Sequence, residues 1–87
     1  MYVTGRCQVV QSKILFQFGQ TIRILRVSKG ISQENFANIC GLHRTYISDV
    51  ELGKRNISLE NIEKMSTALD ISLPDLFERV VNDESIQ

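Results

Sequence analysis

The chain has 87 residues, with ten basic and ten acidic side chains and so no formal net charge. That length holds a single domain, whose core buries roughly 60–65% of the unfolded surface. Its two cysteines, Cys7 and Cys40, are far apart and form no CxxC or Cys/His cluster, which argues against a disulfide framework or a zinc site and suits reduced thiols.

No apolar run approaches the ~18 residues of a membrane span, and no signal-peptide pattern opens the chain. These features predict a soluble, cytoplasmic protein. The neutral total hides a strong segregation of charge. Residues 1–30 carry Arg6, Lys13, Arg23, Arg26 and Lys29 with no acid, a charge of +5. Residues 31–55 balance, and residues 56–87 set seven acids against Lys64 and Arg79, a charge of −5. Local field, not total charge, is what attracts phosphate, so a nucleic-acid partner stays open.

Residues 1–12 are weakly patterned. Tyr2, Val3, Val9 and Val10 favour a strand, but a lone strand has nothing to pair with, and the segment reads as an N-terminal arm. From Lys13 the period changes. Ile14, Phe18, Ile22 and Leu25 form one stripe of a first helix that ends at Gly30. Ser32 caps a second helix with Phe36, Ala37 and Cys40 inward, and Gly41 stops it. A third helix runs from about His43 to Leu52, with Ile47 and Val50 inward and Gly53 behind it. Ser58 caps a fourth, with Leu59, Ile62, Met65 and Leu69 on one face. A fifth opens at Ser72, where Ser72-x-x-Asp75 resembles a capping box and Pro74 sits in the permissive first turn. It carries Leu76, Phe77, Val80 and Val81 before a polar tail at 83–87. The expected fold is all-α, with five short helices in one domain over residues 13–82.

Two short helices joined through a glycine can be a helix-turn-helix or a plain hairpin of helices. Counted from Gln33 as one, Phe36 is four, Ala37 five, Cys40 eight, Gly41 nine, Leu42 ten, Ile47 fifteen and Val50 eighteen. Ala37 must be small where the third helix crosses, Gly41 can take positive φ, and the apolar positions lock the pair as one unit. The stretch from "FGQTIRILRVSKGISQENFA" through "ALDISLPDLF" resembles the DNA-binding domain of the lambda-repressor/Cro-like helix-turn-helix regulators, the XRE family. Within it, "LHRTYISDVELGKRN" looks closest to the controller proteins of restriction-modification systems, in which a similar Arg-Thr-Tyr-Ile-Ser opens the recognition helix. The resemblance implies a helix-turn-helix at helices 2 and 3, with helix 3 entering the major groove.

The residues support the same reading. At about 100° per residue, Ile47, Val50 and Glu51 share the inward face of helix 3. Thr45, Ser48, Asp49 and Leu52 point the other way, with Arg44 beside them at the N-terminal end. N-terminal residues of a recognition helix reach base edges. Arg44 can grip guanine O6 and N7, the Thr45 methyl can pack on thymine, and Ser48 can donate or accept. Tyr46 on the flank, Gln33 at the start of helix 2, and Lys54, Arg55 and Asn56 just beyond helix 3 suit phosphates. Asp49 is an anomaly, because an acid on this face repels phosphate even though it could accept from cytosine N4. It is left out of the expected site. His43 reads as an N-terminal helix residue and Cys40 as core.

Arg26 ends helix 1 and Glu51 lies inward on helix 3, where a charge is costly unless paired. The family resemblance implies that they form a structural salt bridge. On helix 5, four apolar residues exceed the needs of one core-facing stripe. Phe77, Val80 and Val81 are therefore candidate dimer-interface positions, with Leu76 and one of the two valines turned to the core.

The chain thus reads as a sequence-specific transcriptional regulator, repressor or activator, that binds a palindromic operator in double-stranded DNA as a homodimer. The rival reading is a protein-interaction module or antitoxin that retains the fold. A single histidine, no phosphate-cradling glycine loop and no carboxylate pair framed by a cleft give no support for catalysis. No cofactor, metal, membrane or small-molecule substrate is expected.

Overall fold

Four of the five helices start at a serine that does the same job. In the computed structural model, which describes residues 12–82, the order is α1 (Lys13–Ser28), α2 (Gln33–Cys40), α3 (Arg44–Glu51), α4 (Leu59–Ala68) and α5 (Leu73–Asn82). There is no strand among the described residues. Ser12, Ser32 and Ser58 sit in extended backbone ahead of α1, α2 and α4. Each Oγ accepts from the amide three residues on, at 3.3, 3.0 and 3.1 Å. Ser72 Oγ accepts from Asp75 N at 3.2 Å. Each bond satisfies an amide that the helix itself cannot. In α3 the capping position is held by His43, whose side chain makes no such bond. Ser12, read above with the arm, belongs to the helical domain as the cap of α1. The rest of the arm and the tail at 83–87 lie outside the described residues.

The turn between α2 and α3 depends on Gly41, which takes φ 73° and ψ 32°, the left-handed region where a Cβ is penalised. Leu42 N then donates back to Ala37 O at 2.9 Å, closing the helix end. The chain leaves α2 already turned toward α3.

Phe36, Ile22, Ile47, Met65, Leu69, Leu76 and Val80 are fully buried or within 1% of it and make up the centre of the core. α1 packs on α3 and α5, and α2 packs on α3 and α4. The recognition-helix candidate is therefore held from two sides, and its remaining face looks outward. No helix among the described residues is long and apolar enough to cross a membrane.

Three expectations need correction. Ile14 keeps the periodicity of its stripe but lies in the first turn of α1, beyond the core, and is 48% exposed. Leu59, the first residue of α4, is 80% exposed for the same geometric reason. Val80, expected as a candidate interface residue, is completely buried in its own domain and is not available to a second subunit. Phe77 and Val81 remain accessible on α5.

Candidate nucleic-acid interface

The inner face of α3 consists of Ile47, Val50 and Glu51, all buried. Glu51 is the costly member, and a network satisfies it. Arg26 Nε donates to Glu51 Oε2 at 2.6 Å and Arg26 Nη2 to Oε1 at 3.1 Å, a two-pronged pair with both side chains almost wholly out of solvent. Arg26 Nη1 donates to Ile31 O at 2.7 Å, which ties in the loop before α2. Gln33 Nε2 donates to Glu51 Oε1 at 3.0 Å. Glu51 therefore joins α1, α2 and α3 at one point. Among the described residues no buried side-chain nitrogen or oxygen lacks a partner.

A second anchor is steric. Gly19 of α1 lies against the last carbonyls of α3, where an added Cβ would stand 2.2 Å from Val50 O and 2.8 Å from Glu51 O. No side chain fits between the two backbones. Beside it, Gln20 Nε2 reaches Glu51 O at 3.5 Å.

On the outer face, Arg44 and Thr45 are exposed in the first turn, and Ser48 is half-buried one turn on. The structure brings these three together on one surface. A cleft beside them is lined by Gln20, Arg23, Gln33, Ser48, Glu51 and Leu52. Gln33 stands on its rim with one amide hydrogen directed to Glu51, leaving the other and its carbonyl oxygen outside that bond. Arg23 is exposed on the same rim, a basic residue that the sequence reading did not single out. Its sequence signal was its place in the basic, acid-free stretch of residues 1–30.

The other flank is organised around Tyr46. Its ring packs against the core cluster, and Asn61 Nδ2 of α4 donates to its hydroxyl oxygen at 3.0 Å. The hydroxyl's own hydrogen is therefore not used in that bond. The Arg55 guanidinium lies over the Tyr46 ring, 5.1 Å from its centre, and its Nε faces Asp49 Oδ2 at 3.4 Å. Asp49 thus has a partner, the basic residue six positions ahead of it in sequence. Lys54 and Asn56 flank Arg55 and are exposed. The bond of Asn61 to Tyr46 and the pairing of Asp49 with Arg55 were invisible in sequence, because both depend on where α4 and the loop after α3 return.

Cys40 is buried in the core, and burial pushes its thiol up to about 11, with Lys64 acting in the opposite direction. It stays protonated and takes no part in the outer surface. No group of three or more His, Cys, Asp and Glu residues that could hold a metal occurs among the described residues.

Comparison with known proteins agrees with this geometry. A helix-turn-helix family model matches residues 22–76. Control protein C.BamHI of Bacillus amyloliquefaciens is 53% identical over 68 residues, covering 77% of this chain and 84% of that protein. The crystal structure of restriction-modification controller protein C.AhdI from Aeromonas hydrophila is similar with 54% identity and a TM-score of 0.70, over 72% of this chain and 96% of that one. The C.Esp1396I controller protein, solved as a tetramer in complex with its natural 35 base-pair operator, superposes with a TM-score of 0.77 at 32% identity, over 83% of this chain and 95% of that one. The glycine turn, the anchored inner face of α3 and these likenesses agree: the chain belongs to the helix-turn-helix family, among the controller proteins of restriction-modification systems.

Proposed function

We propose that the chain is a sequence-specific DNA-binding transcription regulator that places α3 in the major groove of a palindromic operator and acts as a homodimer in the cytoplasm. The observation that carries the proposal is the division of α3, with its inner face fixed to α1 and α2 and Arg44 and Thr45 exposed in its first turn. First-turn residues of a recognition helix are the ones that meet base edges.

In this reading Arg44 grips a guanine, the Thr45 methyl packs on a thymine and Ser48 completes the base contacts. Gln33 offers its remaining amide hydrogen to a phosphate on one flank. On the other, Tyr46 donates its free hydroxyl hydrogen, and Lys54, Arg55 and Asn56 hold the backbone. Phe77 and Val81, at 37% and 54% exposure on α5, form the apolar centre of the contact between subunits. A symmetric contact uses this patch twice and sets two recognition helices about 34 Å apart, one turn of DNA. The acids of α4 and α5 then lie away from the phosphates.

The test is a binding titration across salt concentrations on a duplex recovered from genomic selection. Counterion release makes log K fall against log salt by about 0.9 per neutralised phosphate, and several such contacts give a steep slope. Binding that ignores salt, or no selected duplex at all, overturns the reading in favour of a protein-interaction module.

A further inference from the structure

Asp49 is the residue that the proposed interface does not explain. Around the axis of α3, Ile47, Val50 and Glu51 define the buried side, and the direction opposite them falls between Thr45 and Asp49 at about 100° per residue. Asp49 therefore shares the most outward sector with Thr45, one turn further along. A lone carboxylate there faces the phosphates of a docked duplex and is repelled.

The structure supplies what offsets that repulsion. Asp49 Oδ2 faces Arg55 Nε at 3.4 Å, and Arg55 is steadied by the Tyr46 ring beneath it. Only the Nε hydrogen of Arg55 is directed at Asp49, so four guanidinium hydrogens remain for the DNA backbone. On the acid side, the contact with Arg55 is made through Oδ2, and the carboxylate side chain is still 31% exposed. The pair is locally neutral and presents an acceptor oxygen from the outward side of α3.

We propose that Asp49 is a specificity-determining residue: paired with Arg55, it reads a cytosine in each half-site through the exocyclic N4 amino group. This rests on the docking of α3 proposed above. The chemistry selects the base. In the major groove cytosine offers a donor, whereas guanine offers two acceptors, thymine one acceptor, and adenine an acceptor beside its donor. A carboxylate oxygen accepts from the first and is repelled by acceptors on the others. Arg55 keeps the acid compatible with the nearby phosphates and does not itself read a base.

The test is binding-site selection from a randomised duplex library with the full chain, followed by titration of single-base variants of the selected site. Asp49→Ala should flatten one position per half-site, removing a cytosine preference of about tenfold. Asp49→Asn should convert that position to adenine, whose N6 and N7 an amide matches with one donor and one acceptor. The position governed by Arg44 should stay unchanged in both. If both variants keep the parental profile, with or without a uniform change in affinity, Asp49 merely orients Arg55 and the inference is overturned. An absence of cytosine preference in the parent also overturns it. A parent that selects no duplex at all overturns the docking reading as well, a result distinct from the other two.

Discussion

The two sides of α3 differ in every physical respect. The inner side carries Ile47, Val50 and Glu51, all buried, and its one charge accepts three side-chain hydrogen bonds. The outer side carries Arg44, Thr45, Ser48 and Asp49, exposed or half-buried, and its one close charge pair is the solvent-facing contact of Asp49 with Arg55. Removing a group from the inner side strands a buried partner, whereas removing one from the outer side returns its neighbours to water. An eight-residue helix therefore separates folding from recognition by direction around its axis.

The sharpest way to break this comparison is at Glu51. Glu51→Ala leaves Arg26 charged, buried and without its carboxylate, and should cost about 3–5 kcal/mol in denaturant unfolding. A Glu51→Ala/Arg26→Met double variant should recover part of the loss, since no charge is then left behind. Small, additive effects in the double-mutant cycle would show that the inner side is no more demanding than the outer.

Arg44→Ala probes the other side. It should leave the denaturation midpoint where it was and weaken specific binding by about 1–3 kcal/mol, relaxing the preference at one base position. Lys54→Ala should instead weaken binding to all sequences alike. An unfolding shift in Arg44→Ala, or an unaltered base preference, would show that the outer face is not reserved for DNA.

Val81→Glu should have the smallest effect on the fold, within about 0.5 kcal/mol, because the side chain is on the surface of its own domain. Its effect should appear in sedimentation, as loss of the dimer at concentrations where the parent associates. A parent that stays monomeric at high micromolar concentration with operator present would remove α5 from the interface.

Much of this arrangement could be read from the residues in order. Ser32, Ser58 and Ser72, three positions ahead of their target amides, marked the starts of α2, α4 and α5, and Gly41 marked the turn, because both signals are local. The inner face of α3 was legible from the spacing of Ile47, Val50 and Glu51. The errors came where a local pattern had to be matched to the extent of its neighbours. Periodicity placed Ile14 and Leu59 on core faces, but it carries no information on where the packed elements end. It also could not choose between Val80 and Val81, adjacent apolar residues near the end of an amphipathic helix. Side-chain partners remote in sequence were beyond it: Asn61 reaches Tyr46 only because α4 packs back on α2, and Gln33 meets Glu51 only in the assembled domain.

Gly19 has one more consequence. Most helix pairs are spaced by interlocking side chains, which can change rotamer and let the axes drift. Here backbone meets backbone, with Val50 O and Glu51 O against the bare α-carbon of Gly19. The separation is set by van der Waals contact between backbone atoms, so the contact is a hard mechanical stop. A recognition constellation must be held within about 0.5 Å to keep its hydrogen bonds. The stop gives the reading edge that tolerance by having no adjustable part.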